Sequence, residues 1–322
     1  MPNAIEVSGL EKRFEKVPAL CGLDFEVRTG EIFGLLGPNG AGKTTTIRIL
    51  TGLARPSAGS ALILGLDSAR HMRAIKKRIG VVPDVSNLYG ELSAVNNLRF
   101  VAALYGVPRA ERAARAHGLL KTFQLADRAD SPFRTLSRGM KRRVTIAAAM
   151  IHRPEILFLD EPTAGLDVGN ARALRGVIAA LRTQGTTVFL TTHNLEEANS
   201  LCDRVAIIHS GRILTIQTPQ DLRAAALERP VLEVTVSGSA EVVAAAVRAL
   251  PGVSALAVRG PTLRVETDNL PLVLPRLVEA LDEAGLAVQE INTVKPTLED
   301  AFVRLTSPGG REGRMGEVTI GA

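Results

Sequence analysis

The chain of 322 residues is poor in aromatic side chains and cysteines and has no long apolar run. Tryptophan is absent and aromatic residues make up 3% of the sequence, which argues against a groove that binds single-stranded nucleic acid by base stacking. The two cysteines, Cys21 and Cys202, fit no metal or redox spacing, as expected in a reducing compartment. No apolar stretch approaches the roughly 18 residues that cross a bilayer, and the first residues carry no secretion signal. We therefore expect a cytoplasmic protein that does not itself span a membrane.

The net charge of +6 and the sequence pI near 9.7 leave nucleic acid as a formal candidate partner. The basic residues are scattered among acidic ones, however, and form no tail or stripe of the kind that binds a phosphate backbone. The densest cluster contains Arg134, Arg138, Lys141, Arg142 and Arg143. We predict that this cluster is the solvated face of a helix start, and we expect no nucleic-acid partner.

The pattern of strands and helices predicts two domains. Residues 1–228 alternate short apolar strands with longer helical patterns, which predicts an α/β domain with a mostly parallel sheet. Residues from about 87 to 152 have helix periods and no clear strand, so they are predicted to form a helical subdomain. Residues 229–306 follow the order strand, helix, strand, strand, helix, strand, which predicts a small ferredoxin-like α/β domain. The Gly-rich segment 307–322 is predicted to be a flexible tail.

The segment GPNGAGKT follows an apolar strand pattern and opens a helix pattern, the context in which G-x-x-x-x-G-K-[ST] binds phosphate. Its glycines let successive backbone N–H groups point at phosphate oxygens, and the helix N-terminus favours negative charge. We expect Lys43 to neutralise the β- and γ-phosphates of a nucleotide and Thr44 to ligate Mg²⁺. The predicted nucleotide-binding residues of this loop are Gly37, Pro38, Asn39, Gly40, Ala41, Gly42, Lys43, Thr44 and Thr45.

A second apolar strand pattern, ILFLDEP, ends in two consecutive acids, Asp160 and Glu161. Neighbouring residues at a strand end point in different directions, so these carboxylates can take two roles at the carboxyl edge of a sheet. Alone, the pair would be solvated acids at a strand exit. Three other candidates are also weak alone: His193 at the end of TVFLTTH as a packing or surface residue, Asp167 in AGLD as a helix N-cap, and Phe14 as a core or surface apolar side chain.

Between these motifs lies the signature segment, TLSRGMKRR (residues 135–143), in which Leu136, Ser137 and Gly139 approach the pattern LSGGQ. The order of phosphate loop, signature segment and ILFLDEP resembles the ATP-binding-cassette (ABC) ATPases over residues 5 to about 217. The resemblance implies that the chain binds ATP with Mg²⁺, hydrolyses it to ADP and phosphate, and serves membrane transport.

The resemblance also assigns roles to the weaker candidates. Asp160 would hold the Mg²⁺ shell, Glu161 would polarise the attacking water, and His193 would contact the γ-phosphate. Phe14 would stack on adenine, and Asp167 would belong to the D-loop, the segment AGLD.

In this family two ATP molecules lie between two cassettes. Ser137 and Gly139 would then contact ATP held by the phosphate loop of a second copy of the chain. At the position of the family's Q-loop glutamine this chain has Asp84, which would reach Mg²⁺ through a water molecule. Arg138 and Met140 also depart from LSGGQ: the arginine would place a cation close to the phosphate, and the methionine occurs among exporter-type relatives.

The C-terminal part, which ends in VKPTLEDAFVRLT, resembles the domain appended to the daunorubicin-resistance type of ATPases that serve ABC-2 exporters. This implies an ATPase subunit that dimerises and drives a separate ABC-2 type permease, peripheral at the inner face of the cell membrane. The alternative is a cytosolic ABC ATPase that acts on ribosomes or DNA without a transporter. Relatives of that sort have two cassettes in one chain or long coiled-coil insertions, and this sequence has one cassette and no heptad run.

Overall fold

The computed structural model describes residues 2–15, 17–183, 185–226, 230–294 and 297–306. The chain divides into two compact units, Met1–Pro219 and Gln220–Ala322. This division falls earlier than the boundary expected after residue 228, because most of the helix that starts at Pro219 belongs to the second unit. The expected tail, 307–322, lies outside the described residues.

The strands of the first unit are β1 (Asn3–Phe14), β2 (Val17–Arg28), β3 (Ile32–Leu36), β4 (Ala58–Ile63), β5 (Leu66–Asp67), β6 (Ile79–Val82), β7 (Ile156–Asp160), β8 (Thr187–Thr192), β9 (Arg204–His209) and β10 (Arg212–Gln217). Six of them form a sheet in the order β10-β9-β3-β8-β7-β6. All neighbours in this sheet are parallel except β9 and β10. Every residue of β3, β7 and β8 is buried, as expected for a parallel sheet covered on both faces. The predicted mostly parallel sheet is confirmed.

A second sheet, for which no sequence pattern was noted, is formed by β1, β2, β4 and β5. Its order is β2-β1-β4-β5, and each pair of neighbours is antiparallel. Buried and exposed positions alternate along much of β1 and β2, so one face packs inward and the other meets solvent. This alternation, rather than the continuous apolar runs of β3 and β7, distinguishes the antiparallel layer.

The helices of the first unit are α1 (Lys43–Leu50), α2 (Ser68–Lys76), α3 (Ala94–Leu104), α4 (Arg109–Thr122), α5 (Arg138–Met150), α6 (Val168–Thr183) and α7 (Leu195–Leu201). Helices α3, α4 and α5 lie between β6 and β7, within the segment predicted to be helical. No helix in the described ranges has both the length and the apolar character needed to cross a membrane.

Four phenylalanines form the centre of the first unit and join its two sheets. Phe189 of β8 is fully buried, and its ring centroid lies 5.9 Å from Phe25, 5.8 Å from Phe33 and 5.6 Å from Phe158. Phe25 comes from the antiparallel sheet and the other three from the parallel sheet. Offset aromatic pairs at such distances add to the stabilisation from burial alone.

The second unit contains β11 (Val231–Val236), β12 (Val253–Arg259), β13 (Thr262–Thr267) and β14 (Val288–Val294), with helices α8 (Pro219–Ala226), α9 (Ala244–Arg248), α10 (Leu270–Glu283) and α11 (Leu298–Thr306). Its sheet has the order β12-β13-β11-β14 and is antiparallel throughout. Leu232, Val265 and Leu277 belong to its buried core. This strand order is that of the predicted ferredoxin-like sandwich, so the prediction is confirmed.

Phe189→Ala should destabilise the first unit by about 3–5 kcal/mol, because the substitution leaves a cavity among three rings. The two tyrosines, Tyr89 and Tyr105, both lie in the first unit and tryptophan is absent, so tyrosine fluorescence during urea unfolding reports on this unit. Phe189→Leu is the matched control and should lose much less stability, because leucine fills more of the cavity than alanine does. Equal unfolding midpoints for Phe189→Ala and the unmodified chain would contradict the role of this aromatic centre.

Candidate active site

Three functional segments begin where parallel strands end. The register pairs Leu36 of β3 with Thr192 of β8, and Asp160 of β7 with Thr191 of β8. The carboxyl ends of the three strands therefore meet at one edge of the sheet. The phosphate loop, the two acids and His193 are brought to this edge, which is where open α/β sheets bind ligands.

The phosphate loop is held in a shape that only glycine allows at two positions. Gly42 has φ +110°, and a Cβ there would lie 2.8 Å from the carbonyl oxygen of Ala19. A Cβ on Gly37 would come within 2.3 Å of the carbonyl oxygen of Ile208. The loop thus packs directly on neighbouring backbone and leads into the N-terminal end of α1, whose free N–H groups and dipole favour a phosphate.

Lys43, the first residue of α1, is buried at the bottom of the loop. Its Nζ donates hydrogen bonds to the carbonyl oxygens of Gly37 (2.8 Å) and Pro38 (3.1 Å). The same Nζ lies 3.2 Å from Oε1 of Glu161, and the two side chains are only 6% and 15% exposed. A cation and a carboxylate are therefore already largely withdrawn from water at the place where phosphate is expected.

Asp160 accepts two hydroxyl hydrogen bonds on one oxygen. Thr191 Oγ1 donates to Oδ1 at 2.6 Å, and Thr44 Oγ1 donates to the same atom at 3.3 Å. Adjacent ligands of an octahedral Mg²⁺ with bonds of about 2.0–2.1 Å lie about 3 Å apart, close to the Thr44–Asp160 spacing. The described residues contain no group of three or more His, Cys, Asp or Glu side chains that could enclose a metal. The oxygens of Thr44 and Asp160 fit a Mg²⁺ whose other ligands are phosphate and water.

Glu161 is held from two sides. Its backbone has φ +48°, in the left-handed region that residues other than glycine rarely adopt, and its N–H donates to the carbonyl oxygen of Thr191 at 3.1 Å. Its Oε2 lies 2.8 Å from Nδ1 of His193 and accepts a hydrogen bond from the His193 N–H at 3.3 Å. With Lys43 on Oε1, the carboxylate is fixed between a cation and an imidazole.

The phosphate loop, Glu161 and His193 surround a cavity of about 360 Å³, and Asp160 lies outside its lining. The predicted residues that line it are Asn39, Gly40, Gly42, Lys43, Thr44, Thr45, Asp84, Glu161 and His193. Ala19 and Ala164 also line it and carry no motif signal. Gly37, Pro38 and Ala41 form the backbone beneath: the carbonyls of Gly37 and Pro38 accept from Lys43, and Ala41 is buried.

Ser137, Gly139 and Asp167 belong to a second cluster that does not line this cavity. Ser137 is the N-cap of α5. A Cβ on Gly139 would lie 2.7 Å from the side chain of Asn170, so glycine permits the close approach of α5 to the segment after the D-loop. Asp167 accepts from the backbone N–H of Asn170 (2.9 Å) and from its side-chain amide (2.7 Å), and these hydrogen bonds lower the pKa of Asp167.

Two further residues of interest lie outside the cavity lining. Phe14 ends β1 with 50% of its surface exposed, and Lys12 Nζ lies 5.0 Å from the centre of its ring. Arg138 packs against the D-loop of its own chain, because a Cβ on Gly165 would come within 2.3 Å of the guanidinium. The Phe14 ring is thus exposed and available for stacking. The guanidinium of Arg138, which was expected close to the phosphate, contacts Gly165 of its own chain.

The prediction of a wholly solvated basic cluster is wrong for Arg142, which is 9% exposed. Its guanidinium donates hydrogen bonds to the carbonyl oxygens of Pro83, Asp84, Asp160, Glu161 and Pro162. The spacing of Gly139, Arg142 and Ile146 could have indicated this, since i, i+3 and i+7 share one helix face and all three are buried. Thr191, which fixes Asp160, was missed because a threonine inside an apolar strand carries no motif.

Glu197 of α7 is a buried carboxylate beside the site, and no sequence motif marks it. It is 1% exposed, and within the described part of the chain neither oxygen has a hydrogen bond of ordinary geometry. Burial raises the pKa of Glu197, and the negative charge of Glu161 raises it further. The hydroxyls of Thr192 and Thr163 and the charge of Arg175 oppose this rise. Glu197 therefore favours its protonated form more than a solvated glutamate does.

The phosphate loop at the carboxyl edge of a parallel sheet, with Thr44 and Asp160 oxygens beside it, defines a P-loop nucleoside triphosphatase. Residues 20–164 match the family described as "ABC transporter", and residues 218–306 match "ATP-binding protein DrrA1-3-like, C-terminal domain". The chain belongs to the ABC transporter ATP-binding proteins and is an ATPase of that family. The family, the fold and the ATPase activity predicted from the sequence are confirmed.

Individual relatives support this assignment. The chain is 38% identical to the daunorubicin resistance ATP-binding protein DrrA3 of Streptomyces coeruleorubidus, over 96% of this chain and 98% of that protein. It is 44% identical to a fluoroquinolones export ATP-binding protein of Mycobacterium tuberculosis, over 71% and 75% of the two chains. Among solved structures, an ATP-binding subunit of an ABC transporter is similar with a TM-score of 0.63 and 34% identity, over 69% of this chain and 92% of that one.

Glu197→Gln should stabilise the protein relative to the unmodified chain as pH rises from about 4 to 8. The pKa of Glu197 is higher in the folded than in the unfolded state, so the folded protein holds an extra proton between those two pKa values. Ionisation then lowers the stability of the unmodified chain as pH rises through this window. Melting temperatures across this range should separate by a few degrees at the alkaline end.

The matched control is Glu196→Gln, because Glu196 is the neighbouring carboxylate, is 71% exposed and pairs with Arg175 at 2.9 Å. Its melting curves should follow those of the unmodified chain at every pH. A constant difference between Glu197→Gln and the unmodified chain from pH 4 to pH 8 would contradict the assignment.

Proposed function

We propose that this chain is the ATP-hydrolysing subunit of an ABC-2 type membrane exporter and works as a dimer of two copies. The observation that carries the proposal is the separation of its two functional clusters. The cavity is lined by the phosphate loop, Glu161 and His193, whereas Ser137 and Gly139 lie elsewhere on the same unit. A second copy is the partner that could bring a signature segment to each cavity.

The proposed hydrolysis begins with Lys43, whose Nζ would exchange its carbonyl and Glu161 contacts for oxygens of the β- and γ-phosphates. Thr44 and Asp160 would hold Mg²⁺, and this ion would neutralise charge on the phosphate oxygens. Glu161 would accept a hydrogen bond from the water that attacks the γ-phosphorus, while the bond to the β–γ bridging oxygen breaks and ADP departs. His193, 2.8 Å from Glu161, would orient that carboxylate and contact the transferred phosphate.

The signature segment would complete the site of the other copy. Ser137 caps α5, and the N-terminal end of this helix carries a partial positive charge that suits a γ-phosphate. Asp167 and Asn170 lie against the same helix end, so the D-loop would take part in the contact between copies. Loss of the γ-phosphate on hydrolysis would remove the anion that joins the two copies.

The export role is supported by the relatives and by the second unit. The similar proteins named above are described by drug resistance or by fluoroquinolones export. The second unit matches the C-terminal domain of DrrA1-3-like ATP-binding proteins. We therefore propose a separate ABC-2 type permease as partner, which would place the chain at the inner face of the membrane.

Glu161→Gln should lower kcat for ATP hydrolysis by about 10²-fold or more, the typical contribution of a positioned general base. MgATP should still bind and should shift the variant to a dimer in size-exclusion chromatography. Glu155→Gln is the control, since Glu155 precedes the same strand, pairs with Arg78 and is not in the cavity lining. Normal turnover by Glu161→Gln would contradict the catalytic assignment.

The exporter assignment predicts a membrane partner. When the tagged chain is expressed with the multi-span protein encoded beside it, detergent-solubilised membranes should yield both proteins together, and ATPase activity should change in the complex. The opposing outcome is recovery with ribosomes or nucleic acid and without a multi-span protein. That result would replace the exporter with the cytosolic alternative.

A further inference from the structure

Arg142 lies inside the first unit at the centre of three functional segments. It is on α5 and near the end of the signature segment, five residues after Ser137 and three after Gly139. It is 9% exposed, whereas its neighbour Arg143 is only partly buried. A buried cation needs a specific set of partners, because an unpaired buried charge is strongly destabilising.

Those partners are backbone carbonyl oxygens on two loops. Nε donates to Pro162 at 3.0 Å, and Nη2 donates to Asp160 at 2.5 Å and to Glu161 at 3.1 Å. Nη1 donates to Asp84 at 3.2 Å and also to Pro83. The planar guanidinium therefore joins the segment that carries the two catalytic-site acids to the segment that carries Asp84.

Arg142 donates hydrogen bonds to carbonyl oxygens at and just after the end of β7, where strand pairing ends. Strand β7 ends at Asp160, and Glu161 turns the chain with φ +48°. The carbonyls of this turn point to α5 and are satisfied there by one guanidinium. A buried carbonyl without a donor is destabilising, so this turn depends on the donors that the guanidinium supplies.

The charges around Arg142 allow the guanidinium to remain inside the protein. Burial lowers the pKa of Arg142, the carboxylates of Asp84, Asp160 and Glu197 oppose this, and Arg138 adds to the lowering. The charges of three acids therefore favour the buried cation, and Arg138 opposes them.

We propose that Arg142 is a positioning residue that fixes the backbone of Glu161 and of Asp84 to the signature helix. The inference rests on the role of Glu161 proposed above. Movement of α5 then moves the carboxylate that orients water in the same chain's cavity. Ser137 is the N-cap of α5. Contact between this signature segment and ATP held by another copy is therefore linked, through Arg142, to hydrolysis in the cavity of the chain that carries the segment.

The test compares Arg142→Lys and Arg142→Gln with Arg115→Lys and Arg115→Gln, since Arg115 is a half-buried arginine of α4 outside both functional clusters. Lysine keeps the charge and loses the planar fork, so it cannot hold both loops at once. We expect kcat to fall by about 10²-fold in the Arg142 variants, as a misplacement of roughly 1 Å in an active site can cause. The KM for ATP and the affinity for MgATP should stay within about twofold, because the phosphate loop is untouched. Arg115, which pairs with Glu111 at 2.6 Å and does not line the cavity, should tolerate both changes.

A second readout separates positioning from general stability. In a Glu161→Gln background, Arg142→Lys should reduce the residual hydrolysis little further, because residues that act through one another are not additive. The proposal would be overturned if the fold-losses of kcat from Glu161→Gln and Arg142→Lys multiplied fully in the double variant. Equal losses of kcat and of MgATP affinity in Arg142→Lys would overturn it as well. If Arg142→Gln does not fold, Arg142→Lys alone decides between these outcomes. Normal turnover by Arg142→Lys with an inactive Glu161→Gln refutes Arg142 only, whereas normal turnover by Glu161→Gln refutes the proposed catalytic role itself.

Discussion

Parallel pairing of β3, β7 and β8 is the constraint on which the site depends. The ladder places the ends of these strands side by side, so that Lys43, Asp160, Glu161 and His193 need no other device to meet. The buried ion pair of Lys43 with Glu161, 3.2 Å apart, follows from this placement. Phe189 of β8 packs on Phe33 of β3 and on Phe158 of β7, so the aromatic centre holds the same three strands together and supports the geometry of the site.

Two clusters share the first unit and differ in how they can be used. The cavity collects a cation, hydroxyls and carboxylates around a space for phosphate. The signature cluster presents the capped end of α5, closely packed on Asn170. Arg142 lies between them and contacts the backbone of Asp84 and Glu161. In the proposed dimer, such a chain would respond at its signature segment to an ATP held by the other copy.

Local patterns were sufficient to predict a large part of this fold. The buried runs of β3, β7 and β8 and the phosphate loop are contiguous in sequence, so motif and periodicity predicted them. The second unit was predicted because its strands and helices follow one another in the order that the sheet requires. The antiparallel sheet of β1, β2, β4 and β5 was missed because alternation along β1 and β2 does not reveal their partners. Arg142 and Glu197 were missed for a related reason: whether a charged side chain is solvated or buried depends on distant segments that pack against it.

The central claim is that each ATP is hydrolysed between the cavity of one chain and the signature segment of another. The most direct measurement mixes two inactive variants, Glu161→Gln and Ser137→Ala, and follows ATP hydrolysis. A mixed dimer contains one intact site, because the Ser137→Ala chain supplies an unaltered cavity and the Glu161→Gln chain supplies an unaltered signature segment. The account predicts that the mixture hydrolyses ATP at a rate that neither variant reaches alone. A mixture no more active than the average of its two components would contradict it.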